Sequence, residues 1–154
     1  MGATLIPGLR SPYDTVGGIV HFGRMLDKIR LHRQGKLPPA WVELKGDPKG
    51  FDGQCCRFLR IDHAQLEAET LRGRTDGEML AWAFGHGRKP DDYEIETWNG
   101  FLSRRCWRDA HTDRLHFRLK ESGFPVGAAL TMFDYIDLDE GRPLRHGTEL
   151  PAAR

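Results

Sequence analysis

The chain has 154 residues, of which 39% are hydrophobic and 29% charged, and its formal net charge is +1. This length and composition are typical of one ordinary domain with a substantial buried core. A charge so close to zero argues against a general binder of nucleic acids or of anionic membranes, because such proteins usually carry a basic excess. No apolar run approaches the roughly 20 residues of a transmembrane helix. We therefore expect neither nucleic-acid nor membrane partners.

The three cysteines, Cys55, Cys56 and Cys106, indicate a reducing compartment. Two of them are adjacent, which rarely suits disulfide geometry, and the total is odd. The N-terminus lacks the charged and apolar pattern of a secretory signal. We expect a cytoplasmic protein whose cysteines pack as small core residues. Neither a Cys-x-x-Cys pair nor a phosphate-loop or dinucleotide glycine pattern occurs, so we predict no metal and no cofactor.

The chain opens with an extended arm over residues 1–15, where glycine and prolines mark turns. A first long helix is predicted from Val16 to Arg33. Gly17 and Gly18 are poor helix formers, so their position in its first turn suggests that another backbone or a ligand approaches closely there. Apolar residues recur at helical spacing along this segment, namely Ile19, Phe22, Met25, Leu26 and Ile29.

Residues 36–50 read as a connector because they contain three prolines and two glycines. The spacing of apolar residues and the capping motifs predict further helices at 51–59, 62–73, 75–85, 90–107 and 127–135. Residues 112–122 alternate like a strand, but no second alternating segment could pair with them, so we predict helix.

The sum of these elements is an all-α fold. We predict one helical domain over residues 1–154, a compact bundle of about six helices with the arm at 1–15 and a loosely ordered tail at 143–154.

A basic strip lies beside the apolar face of the first predicted helix. His21, Arg24, Lys28 and His32 share one stripe of the helical wheel. Apolar residues lie on both sides of this stripe, so its cations need an anionic partner if both edges are packed. The alternative is a solvated strip whose long side chains reach into water.

A candidate partner is the acidic segment at residues 133–142, which has four carboxylates within seven positions. Residues 10–50 instead carry eight Lys or Arg against four Asp or Glu. These opposite excesses predict that the two regions meet, with Asp134, Asp137 or Asp139 paired to Arg24 or Lys28. The segment does not fit a calcium loop, because glycine and the last carboxylate are missing at the required positions.

Five segments form a recognisable pattern: residues 9–12 (LRSP), 17–28 (GGIVHFGRMLDK), 75–78 (TDGE), 98–99 (WN) and 133–142 (FDYIDLDEGR). In them the chain resembles a bacterial family described only as a domain of unknown function. The resemblance covers most of residues 9–142 and implies that the basic strip and the acidic segment belong to a shared pattern. It implies no activity.

The leading hypothesis is a non-catalytic domain that binds a small polar or anionic ligand, or a partner protein. Arg24, Lys28 and His21 would hold anionic groups, oriented by Asp27, Asp134 and Asp137. One alternative is a small enzyme in which His21 is the acid or base and Arg24 or Lys28 stabilises charge. Another is a structural or interaction protein. The sequence leaves homo-oligomerisation open.

Overall fold

The structure is a computed structural model in which residues 5–146 are described. They divide into a first unit, Gly8–Gly100, and a second unit with residues 5–7 and 101–146. Across residues 5–146 there are eight helices and one two-stranded sheet. The prediction of a mostly helical fold is confirmed, whereas a strictly all-α fold of about six helices is wrong. A single domain over 1–154 stays a prediction, and parts of the predicted arm and tail, residues 1–4 and 147–154, lie outside the described residues.

The first unit begins with a hairpin where a helix was predicted. Strands β1 (Thr15–Val16) and β2 (Ile19–Val20) pair antiparallel. Gly17 and Gly18 connect them with φ values of 57° and 78°. Left-handed backbone at both central residues is the requirement of the tight type I′ hairpin turn, which glycine meets without strain. Helix α1 therefore runs over Phe22–Arg33; it begins six residues later than predicted and ends at the predicted residue.

Helix α1 is the centre of the first unit, since nine of its twelve residues are buried. It contacts β1 and the three helices that follow it in the chain. The five helices that follow α1 in the chain are α2 (Pro39–Leu44), α3 (Phe51–Leu59), α4 (His63–Thr70), α5 (Asp76–His86) and α6 (Asp92–Ser103). Helix α2 lies inside the predicted connector, so that expectation is corrected, whereas α3 has the predicted bounds.

Side-chain caps place the starts of α4 and α5. The Asp62 carboxylate accepts a hydrogen bond from the Gln65 backbone at 3.0 Å. Thr75 and Glu78 form the predicted reciprocal capping box at the start of α5. These caps satisfy backbone donors that a helix leaves unpaired in its first turn, so local sequence alone positions both helix starts.

The second unit contains α7 (Thr112–Glu121) and α8 (Met132–Asp139), which contact each other. The helix prediction for residues 112–122 is confirmed. Helix α8 starts later than predicted because the Thr131 hydroxyl accepts a hydrogen bond from the Asp134 backbone and caps the helix. The apolar core of this unit includes Cys106, Leu115, Leu119, Ala128, Ala129 and Tyr135.

The longest helices described have 12 residues. None of the helices in the described part of the chain has the length and apolar character required to cross a bilayer.

Candidate functional site

Three residues of the basic strip, His21, Arg24 and Lys28, are buried, whereas His32 is exposed. Within the first unit, the carboxylate partner of His21 and Lys28 is Asp52, which sequence reasoning missed. Lys28 Nζ and His21 Nε2 each lie 2.7 Å from Asp52 Oδ1. The other carboxylate oxygen, Oδ2, accepts a hydrogen bond from the Gly46 backbone at 2.9 Å. His21, Lys28 and Asp52 are only 1%, 5% and 1% exposed. The three side chains form what we call the Asp52 cluster.

Burial and charge fix the ionisation of the Asp52 cluster. Burial lowers the pKa of His21 to about 4, against the opposing effect of its hydrogen bond to Asp52. Burial acts to raise the pKa of Asp52, but the Lys28 charge and the hydrogen bonds from His21 and Gly46 hold that pKa well below its usual range. At neutral pH His21 is therefore neutral, and its Nε2–H donates to the Asp52 carboxylate.

Backbone geometry brings His21 to this position. It is the N-cap residue of α1 and has a left-handed φ of 70°. Such a φ is uncommon for a residue other than glycine, although histidine tolerates it better than most. The backbone N–H of His21 donates to the Pro12 carbonyl at 2.9 Å. The turn between β2 and α1 thus directs the imidazole inward, beside the ring of Phe51 at 5.7 Å between centroids.

Asp27 and Arg24, the other predicted site residues on α1, contact Arg10. The Asp27 carboxylate accepts hydrogen bonds from Arg10 Nε at 2.8 Å and Nη2 at 2.9 Å, which is the strong two-pronged pairing of guanidinium and carboxylate. Arg24 is buried and its Nη1 donates to the Arg10 carbonyl at 3.0 Å. A Cβ at Gly23 would lie 2.7 Å from Arg10 Cζ, so glycine lets the guanidinium rest against the helix.

The Arg10 guanidinium also links α1 to α5. Its Nη1 donates to Asp76 Oδ2 at 2.7 Å, and Arg30 Nη1 donates to Asp76 Oδ1 at 2.7 Å. Partial burial acts to raise the pKa of Asp76, but the hydrogen bonds from Arg10 and Arg30 lower it overall. The result is a continuous row of alternating charges from Asp27 to Arg30, which holds the end of α1 beside the start of α5.

Asp134 and Asp137 lie on α8 in the second unit, and both are buried. Asp137 Oδ1 pairs with Arg142 Nη1 at 3.3 Å, and Arg142 also pairs with Glu140 at 2.6 Å. Part of the negative charge of the acidic segment is therefore paired with Arg142, the last residue of the same segment. Its pairing with Arg24 or Lys28 stays a prediction.

An open cleft of about 520 Å³ lies where the ends of α1 and α4 meet the start of α5. It contains three guanidinium groups and one carboxylate. We call it the arginine cleft, and its lining comprises Arg30, Arg33, Gln34, Thr70, Leu71, Gly73, Arg74, Thr75 and Asp76.

The three arginines of the cleft are held to different degrees. Arg30 pairs with Asp76, and its Nη2 donates to the Arg74 carbonyl at 3.2 Å. Arg74 Nε pairs with Glu69 at 2.9 Å. Arg33 is exposed, and within residues 5–146 it has no carboxylate at ion-pair distance. The cleft thus offers two fixed cations and one whose charge is not already neutralised.

Residues 6–142 match the model of a family described as a domain of unknown function, DUF5069. The chain belongs to this family. The predicted resemblance is confirmed, and the DUF5069 match includes both the Asp52 cluster and the arginine cleft. None of the curated proteins matches the chain.

The sequence of this DUF5069 domain does contain a signal for Asp52. Asp52, Cys55, Cys56 and Leu59 follow the helical spacing of one buried face, and all four are buried on α3. A carboxylate within an apolar face needs a charged partner, so this pattern could have predicted that Asp52 is buried and paired with a cation. The arginine cleft has no equivalent signal, because its cations come from two separate segments.

Within residues 5–146, no group of three or more His, Cys, Asp or Glu side chains is placed to hold a metal ion. The three cysteines are free and buried. Burial raises the pKa of Cys55 far above its usual value and that of Cys56 to about 12. Because the thiolate is the reactive form, these two thiols are poor nucleophiles and suit the predicted packing role.

Proposed function

We propose that this DUF5069 domain binds a small anionic ligand in the arginine cleft. The observation that supports the proposal is an open cavity of about 520 Å³ whose lining includes an exposed arginine, Arg33, without a carboxylate partner among the described residues. This volume is large enough to accommodate a small molecule. The proposal keeps the leading hypothesis of anion binding and moves the site to the other end of α1.

The roles of the cleft residues follow from their contacts. Arg33 binds the anion directly, while Arg30 and Arg74 are already oriented by Asp76 and Glu69. Asp27 supports the site indirectly, because it binds the Arg10 guanidinium, which in turn donates a hydrogen bond to Asp76.

His21, Arg24 and Lys28 have a packing role in this proposal. His21 is 1% exposed, so a substrate in solution has little surface of this side chain to reach. Lys28 is neutralised by Asp52 at 2.7 Å. These features favour a structural role, in which the side chains hold α1 against α3, over a catalytic role in which His21 is an acid or base.

Titration calorimetry with inorganic phosphate and with pyrophosphate tests the proposal. We expect Arg33→Ala to weaken binding about tenfold or more, since a charge-assisted hydrogen bond is worth about 1.5–3 kcal/mol. Arg72→Ala is the matched control, because Arg72 is exposed near the cleft, pairs only with Glu69 among the described residues, and does not line the cavity. Equal affinities in the two variants, or no binding by the wild type, would refute the proposal.

A further inference from the structure

We infer that two copies of this chain associate through helix α6, with the two helices antiparallel and related by a two-fold axis. The contact surface is the exposed side of α6 and of the turn that follows it. We call this surface the α6 face, and it comprises Tyr93, Glu96, Thr97, Gly100, Phe101 and Arg104. None of these residues lines the arginine cleft, so self-association goes beyond the proposed function and can fail without it.

Two aromatic side chains are exposed on the α6 face. Trp98 and Leu102, on the opposite side of the helix, are 6% and 0% exposed, whereas Tyr93 and Phe101 are 77% and 50% exposed. The Arg105 guanidinium lies over the Phe101 ring, 4.7 Å from its centroid, and holds this ring in place. Exposed aromatic side chains bury a large apolar area when a partner covers them, and tyrosine is a frequent anchor residue of protein interfaces.

The residues of the α6 face form two adjacent rows at four-residue spacing. One row is Tyr93, Thr97 and Phe101, and the other is Glu96, Gly100 and Arg104. Helices that pack such rows against each other cross at about −50°, which is the commonest packing class in globular proteins. Gly100 is in the middle of its row and has no side chain, so a second helix can approach the backbone closely there.

The charge of this segment changes sign from one end of α6 to the other. Residues 91–96 include four carboxylates and no Lys or Arg, whereas residues 104–108 include three arginines and no Asp or Glu. Glu94 pairs with Arg88, but Glu96 is exposed and has no cation at ion-pair distance among the described residues. In an antiparallel pair of α6 helices the acidic start of each lies beside the basic end of the other, whereas a parallel pair would place like charges together.

The spacing of these charges makes the α6 face complementary to itself. Glu96 and Arg104 are each four residues from Gly100, in opposite directions along the chain. When the two-fold axis passes beside Gly100, Glu96 of one copy is opposite Arg104 of the other, and symmetry forms the same contact twice. The face therefore supplies its own counter-charge, which favours a second copy of this chain over a different protein as the partner.

The size of the α6 face sets the strength of the association. Helix α6 has 12 residues and is about 18 Å long. Two such helices bury an area at the lower end of the range for protein interfaces, where complexes are weak and transient. We expect a dissociation constant on the order of 100 µM, so the protein is monomeric in the dilute solutions used for denaturation experiments.

Sedimentation velocity of the full-length protein, at concentrations below and above that dissociation constant, tests the inference. The sedimentation coefficient of the wild type should rise with concentration from the monomer value toward the dimer value. Glu96→Arg and Arg104→Glu each place like charges opposite each other, twice per dimer, and should weaken association at least tenfold. Glu43→Arg is the matched control, because it reverses an exposed charge on α2 and should associate as the wild type does.

Combining the two charge reversals distinguishes lost pairing from a damaged fold. An equimolar mixture of the Glu96→Arg and Arg104→Glu variants should associate, and the double variant should regain wild-type affinity, because opposite charges again face each other. If neither the mixture nor the double variant associates, or if Glu43→Arg weakens association as much as Glu96→Arg, the antiparallel pairing is wrong. A wild type that stays monomeric at every concentration also overturns the inference and leaves the α6 face to a different protein.

Discussion

Asp52 shows how one residue decides the state of a buried charge. Its side chain has no exposure to solvent, and its carboxylate oxygens lie within 3 Å of Lys28, His21 and the Gly46 backbone nitrogen. Removing a carboxylate and an ammonium from water costs several kcal/mol for each ion, and only close, fully hydrogen-bonded geometry repays that cost. The Asp52 cluster has this geometry, so losing one partner is far worse than losing both.

We expect Asp52→Asn to lower the free energy of unfolding by about 3 kcal/mol or more, because it removes the carboxylate charge that lies 2.7 Å from the buried Lys28 ammonium. Urea denaturation followed by circular dichroism measures this change. Glu96→Gln is the control, since it makes the same chemical change at an exposed position and should stay within about 0.5 kcal/mol of wild type.

A double substitution separates charge from packing at the same site. With Lys28→Met added to Asp52→Asn, neither charge of this buried pair remains, and part of the lost stability should return. If the double variant is as unstable as the sum of the two single variants, the pair contributes nothing beyond the contacts of each side chain.

Among the elements, the hairpin at the start of the first unit shows where helical periodicity of apolar residues gave a wrong prediction. Ile19 and Phe22 fit the apolar face of a helix, yet Ile19 is in β2 and only Phe22 is in α1. The glycine pair that seemed to weaken a helix instead makes the turn. A Cβ at Gly17 would lie 2.2 Å from Leu80 Cδ2, whereas one at Gly18 meets nothing within 4 Å.

These surroundings predict different costs for two similar substitutions. Gly18→Ala should cost about 1–2 kcal/mol, the penalty of a left-handed backbone alone. Gly17→Ala carries the same backbone penalty and also displaces Leu80, so it should cost clearly more in thermal denaturation. Adding Leu80→Ala should remove the difference that overlap causes. If the two alanine variants have the same melting temperature, the close contact between residue 17 and Leu80 adds no cost in stability.

For the molecule as a whole, short-range features could be predicted and long-range pairings could not. The bounds of α3 and the caps of α4 and α5 follow from residues within a few positions of each other. Lys28 and Asp52 are 24 positions apart, and Arg30 and Asp76 are 46 apart. Helical spacing contains no information on which distant segment supplies a partner, so the arginine cleft could only be found in the folded chain.

Stability against pH is the property of the whole molecule that the Asp52 cluster should control. The pKa of His21 is lowered from 6.5 to about 4 in the folded protein. Between these values the unfolded chain binds a proton that the folded chain does not, so protons favour unfolding and stability falls as pH falls. From pH 7 to pH 5 this single group should reduce the free energy of unfolding by about 2 kcal/mol.

Urea denaturation at both pH values measures this loss. His21→Asn keeps a residue that tolerates a positive φ and removes the titrating ring, so most of the pH dependence should vanish. The pKa of His63 is also lowered by burial, so a smaller loss in the same direction should persist in this variant. His32→Asn, at an exposed position, should behave as wild type. If His21→Asn and wild type lose the same stability between pH 7 and 5, the conclusion that His21 is buried in its neutral form in the Asp52 cluster is wrong.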